Sequence, residues 1–150
     1  MASLQQIEQF TAQKHIAVAG ISRTPHKFGN SVFKELKKQG YTVYPISLHV
    51  AEFEGIACFK DIASLPVEVG SIIINTKPEQ TKILLSEARK KGIRNIWLQQ
   101  GSADKETIQA VINATDNVIA GHCILMFTKP SHFMHRTHAF FKKTFGQFPR

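Results

Sequence analysis

The chain has 150 residues, of which 43% are hydrophobic and 20% charged, a composition that suits one folded domain and excludes a disordered or low-complexity protein. No run approaches the roughly 20 apolar residues of a membrane-spanning helix, and no signal-peptide pattern opens the chain. The net charge of +8 is compatible with nucleic acid, an anionic surface or a phosphate-rich small ligand, or with no specific partner at all.

Residues 1–13 read as a short amphipathic helix, with Ser3 as cap and Leu4, Ile7 and Phe10 as its stripe. The apolar run His15 to Ala19 then predicts a first strand that ends in Gly20-Ile21-Ser22. A basic loop follows (Arg23, Thr24, Pro25, His26, Lys27), and Phe28-Gly29-Asn30-Ser31 opens a helix running to Gln39. Strand, glycine-marked turn and helix N-terminus together present backbone N–H groups and a positive dipole end to an anion.

Tyr41 to Ser47 predicts the second strand, and 48–66 reads as irregular, with one helical turn near Asp61 to Leu65. Val69 to Asn75 is a near-continuous apolar run, the mark of a central strand covered on both faces. Thr76 is placed as the cap of a helix over Glu79 to Lys91, with Pro78 in its first turn and Gly92 as its stop. Arg94 to Leu98 is the next strand, Gln99-Gln100-Gly101-Ser102 a polar turn, Ala103 to Ala114 a helix, and Asn117 to Ala120 the last strand. Five strands alternating with helices predict a Rossmann-like three-layer α/β/α domain with a five-stranded, mostly parallel sheet and a switch point beside the first strand.

A nicotinamide dinucleotide is the obvious occupant of such a sheet, but the residues argue against it. The Gly-x-Gly-x-x-Gly fingerprint is absent, since Gly20 is followed by Ile21 and Ser22 and the next glycine is Gly29. The acidic residue expected after the second strand is missing too; that end reads Pro45-Ile46-Ser47-Leu48-His49. Arg23, Lys27 and His49 suit a nucleotide that carries extra phosphates, unless Arg23 and Lys27 are only a solvated loop.

The ordered segments IAVAGIS, LKKQGYTVYPIS, DIASLP, SIIINTKPE, KGIRNIWLQQGS and AGHC, from Lys14 to Cys123, resemble the stand-alone coenzyme A-binding proteins. Their domain is similar to the N-terminal half of the succinyl-CoA synthetase α subunit. The resemblance implies that coenzyme A or an acyl-CoA binds across the carboxyl ends of the strands. It puts Gly20, Ser22, Arg23, Lys27, Phe28 and Gly29 around the phosphates, and Ser47 and His49 near the adenosine. Thr76, Lys77 and Pro78, with Gln99, Gln100 and Gly101, would line the pantetheine path. Two positions depart from the family pattern: Ile46-Ser47-Leu48 stands where Val-Asn-Pro is frequent, and Ile124 rather than proline follows Cys123.

The synthetase relies on a phosphorylated histidine and a ligase half outside this domain, so no reaction is carried over with the resemblance. His122 and Cys123 are adjacent on extended chain and point to opposite faces, which argues for a small buried cysteine over a nucleophile–base pair. Cys58 and Cys123 show no Cys-x-x-Cys spacing, consistent with reduced thiols in the cytoplasm. Residues 124–150 read as a basic helical tail; Phe133, Phe141, Phe145 and Phe148 form a stripe for the domain or a second copy in a homodimer, and His132, His135 and His138 match no zinc spacing. A regulatory or carrier protein for coenzyme A thus competes with an NADP-linked oxidoreductase, a Cys123-dependent acyl-transfer enzyme and a nucleic-acid binder. For the last, only charge speaks.

Overall fold

The structure, a computed structural model, describes residues 2–112 and 116–128. The elements run α1 (Leu4–Thr11), β1 (His15–Ala19), α2 (Phe28–Lys38), β2 (Thr42–Ile46), β3 (Glu52–Phe53), β4 (Ile56–Ala57), β5 (Ser71–Ile74), α3 (Pro78–Lys91), β6 (Asn95–Leu98), α4 (Lys105–Ile112) and β7 (Asn117–Ala120), and a 3₁₀ turn closes them at Ile124–Met126. Residues 129–150, with the basic and aromatic tail proposed as a dimer contact, lie outside the described residues.

The main sheet has the order β2-β1-β5-β6-β7 and every pairing in it is parallel. From β1 the chain steps outward to β2, then returns to the other side of β1 as β5. The carboxyl ends of β1 and β5 therefore diverge at a switch point, which is where ligands enter such sheets.

Successive side chains on a strand face opposite ways, so the apolar runs feed two cores. Ile16, Val18, Ile73, Trp97 and Ile119 meet Ile7 and Phe10 of α1 and Val32, Phe33 and Leu36 of α2. Ala17, Ala19, Ile72, Ile74, Ile96 and Leu98 meet Leu85 and Ala88 of α3 and Val111 of α4. Phe10 packs edge-on to Trp97 with ring centroids 5.3 Å apart. Each fully buried Val, Leu, Ile or Phe side chain among these contributes about 1.5–3 kcal/mol.

Local chemistry sets the element ends. Ser3 and Gln6 form a reciprocal capping box on α1. Gly92 ends α3 in the left-handed conformation, and Asp104 accepts the Thr107 N–H ahead of α4. Thr76 does not cap α3; the helix starts one residue beyond Lys77, whose side chain makes no cap bond. The stretch after β2 is also more regular than predicted. It holds the β3–β4 hairpin, turned by Glu54 (φ 51°) and Gly55 (φ 77°), two left-handed residues as a tight hairpin turn requires. Its two-residue strands are too short to show an alternating pattern.

Candidate functional site

The switch point is built by close backbone packing. Gly20, at φ 108°, lies against the carbonyl of Asn75 at the end of β5, and any Cβ there would strike it. Gly29, in the first turn of α2, lies against the carbonyl of Gly20 in the same way. The two glycines thus let the start of α2 descend onto the end of β1. No side chain caps α2, because its N-cap position is Lys27 in an extended conformation. Asn30 N–H donates to the Lys27 carbonyl at 3.1 Å, no side chain takes up the N–H groups ahead of it, and the positive end of the helix dipole lies there.

Asn30 fixes the loop that covers this turn. Its buried side-chain oxygen accepts the Ser22 N–H at 2.9 Å, and its Nδ2 donates to the carbonyls of Ser22 (2.8 Å) and Thr24 (3.2 Å). Arg23 is carried to the rim, where Nε donates to the His49 carbonyl at 2.9 Å. Phe28 stays 45% exposed beside it. The loop after β2 is pinned by Ser47, whose hydroxyl donates to the Ile21 carbonyl at 3.1 Å and accepts the N–H groups of His49 and Val50. Ser47 is buried and its hydroxyl is spent on this knot.

Between the carboxyl ends of β1, β2 and β5 and the side of α3 lies a cleft of about 370 Å³. Gly20, Ser47, His49 and Thr76 all line it, so the structure brings together residues that the sequence divided between an adenosine end and a pantetheine path. Thr76 faces the Thr81 hydroxyl at 2.8 Å, while Thr81 lies 2.6 Å from the Ser102 carbonyl. One proton per hydroxyl then makes Thr81 the donor to Ser102 and Thr76 the donor to Thr81, which leaves Thr76 lone pairs for the cleft. Sequence reasoning missed Leu48, Lys60, Asp61, Gln80, Ile83 and Glu87, which also line it. Lys60 arrives through the bridge that sets Phe59 beside Ile46. Hydrogen bonds from Ser64 hold the Asp61 carboxyl below its ordinary range.

The fourth turn lies apart from this cleft. Gln99 is buried, and its side chain is a latch: Oε1 accepts the Ile124 N–H at 3.0 Å and Nε2 points at Cys123 Sγ, 3.9 Å away. Gln100 and Gly101 are exposed, with Gly101 at φ 86°. Lys77 and Pro78 sit at the mouth of α3. Cys123 is half-buried, and that burial pushes its thiol up from the ordinary range, the reverse of what an activated nucleophile needs. His122 is buried against Phe127, and burial lowers its pKa. No helix among the described residues is long and apolar enough to cross a membrane.

Comparison with known proteins converges on one family. The family model described as CoA binding domain matches residues 14–129. The alpha subunit of the ADP-forming acetate–CoA ligase II of Pyrococcus furiosus is 35% identical over 91 residues, 60% of this chain and 20% of that protein. A conserved hypothetical protein of known structure from Pyrococcus furiosus is 30% identical with a TM-score of 0.70, over 74% of this chain and 96% of that one. A hypothetical protein from Pyrococcus horikoshii is 25% identical with a TM-score of 0.75, over 93% of each chain. The chain spans only 13–20% of the length of the curated ligases it matches. It belongs to the CoA binding domain family.

Proposed function

We propose that this chain binds coenzyme A or an acyl-CoA across the carboxyl ends of its parallel strands and works as a regulator or carrier of that ligand in the cytoplasm. The observation that carries the reading is the packing of Gly29 on the Gly20 carbonyl. It holds an uncapped helix N-terminus over the end of β1, with Arg23 and Lys27 flanking it. Coenzyme A brings a diphosphate and a 3′-phosphate, and backbone N–H groups with nearby Lys and Arg side chains are the usual partners of such groups.

A reaction of the chain's own has no comparable support. The half-buried Cys123 thiol is held in its neutral form, and the Gln99 amide beside it is occupied. The ligase activity named for the relatives belongs to much longer proteins.

Calorimetric titration with coenzyme A, acetyl-CoA, NAD and NADP tests the proposal. Coenzyme A or acetyl-CoA should bind more tightly than both dinucleotides. Tighter binding of NAD or NADP overturns it.

A further inference from the structure

We infer that residues 130–150 dock on their own domain, with their phenylalanines in a groove at the outer edge of β7 and their cations turned to solvent. The inference is independent of coenzyme A binding. β7 ends the sheet and pairs with β6 alone among the described residues, so its outer edge presents unpaired backbone groups. Ile7 and Phe10 of α1 pack on one face of the sheet, and Val111 of α4 packs on the other. A groove of about 420 Å³ takes its walls from both sides, Ala2 and Gln6 from α1 and its start, Ile108 and Ile112 from α4, with Val118 of β7 between them. Walls that come from opposite faces meet at the edge of the sheet. No charged side chain lines this groove, although the chain carries a net charge of +8. Ile112, on its α4 wall, is 41% exposed.

The occupant follows from where the rest of the chain sets out and what it carries. Gly121, directly after β7, is part of the lining, and the last described residue, Thr128, follows shortly after it. The CoA binding domain model ends at residue 129, so 130–150 is sequence beyond the part shared with the family. It holds five of the chain's eleven phenylalanines, Phe133, Phe140, Phe141, Phe145 and Phe148. Arg136, Lys142, Lys143 and Arg150 accompany them, and no acidic residue does. Such a segment is repelled by a basic surface but not by an uncharged groove, and each phenyl ring withdrawn from water favours docking. The tether favours the segment's own domain over a second copy, because a short link holds it at an effective concentration on the order of millimolar.

The test is limited digestion of the full chain with trypsin, with mass spectrometry following the cut after Arg136. The proteins compared are the unmutated chain, Ile112→Asp, Ala110→Asp and a double variant, Phe141→Ser with Phe145→Ser. Ile112 and Ala110 are both exposed on α4 and only Ile112 lines the groove, so far-UV circular dichroism should report an unchanged fold for each. We expect the cut to be about tenfold faster in Ile112→Asp and in the double variant, and unchanged in Ala110→Asp, at rates independent of protein concentration. Equal rates in all four proteins overturn the docking. A faster cut in only one of the groove and tail variants, or an equal rise in Ala110→Asp, shows that the tail and this groove are not paired. Protection that grows with protein concentration gives the groove to a second copy and overturns docking on the same domain.

Discussion

Arg23 Nε donates to the carbonyl of His49 at 2.9 Å, so one guanidinium joins the loop after β1 to the loop after β2. The bond uses one of five donors and leaves the others for an anion at the rim. Arg23→Ala should weaken coenzyme A binding by about tenfold to a hundredfold, because it removes a charge and frees the two loops together. The exposed bond itself is worth only about 1 kcal/mol, so the urea midpoint should barely move. Arg23→Lys should recover part of the affinity, since it keeps the charge but lacks the planar fork. Calorimetry and urea denaturation read the two effects separately. Undiminished affinity in Arg23→Ala would remove this residue from the site.

Gly29→Ala tests the packing that brings α2 onto β1. Its Cβ would meet the Gly20 carbonyl, with Asn75 Nδ2 close behind at 3.1 Å, and backbone cannot swing aside as a flexible side chain does. Overpacking of this kind costs about 1–3 kcal/mol, and the helix N-terminus must back away from any bound phosphate. Gly70 is the control: an added Cβ there meets nothing within 4 Å and its φ is not left-handed, so Gly70→Ala should leave stability and binding nearly unchanged. We expect Gly29→Ala to melt earlier and to bind coenzyme A more weakly. Equal behaviour of the two variants in thermal melts and titrations would refute the packing argument.

The strands were readable because burial on both faces makes β1, β5 and β6 nearly unbroken apolar runs, and the turns because Gly20 and Gly92 punctuate them. The close packing of α2 on the end of β1 was legible for the same reason, as a loop between two glycines, Gly20 and Gly29. Asn30 was not, since one more polar residue in a helix gives no hint that its amide folds back on Ser22 and Thr24. Ile83 did leave a signal. Ile83-Leu84-Leu85 advances by about 100° per residue around the helix, so three consecutive aliphatics cannot all face the core. Leu85 takes the core and Ile83 is left to the cleft. Gln99 carries a role that its sequence position did not disclose: a polar turn at the end of a strand reads as a ligand contact, and here its side chain also holds the Ile124 turn in place.

His122 gives the fold a pH dependence of its own. The ring is buried and meets the Phe127 ring at 88°, with centroids 5.7 Å apart, and burial lowers its pKa from the ordinary 6.5. The unfolded chain therefore takes up a proton at a higher pH than the folded one, and between the two pKa values stability rises with pH. Its neutral imidazole costs nothing above about pH 6.5; as pH falls from there through the lowered folded value, stability declines by at most about 1.4 kcal/mol per pH unit from this group. Below the folded value both states are protonated and the loss from His122 is complete. Urea midpoints measured from about pH 7.5 down to about pH 5 should fall for the unmutated chain and fall less steeply for His122→Leu, which keeps an apolar group against Phe127. Parallel midpoint curves for the two proteins would mean that His122 does not set the slope.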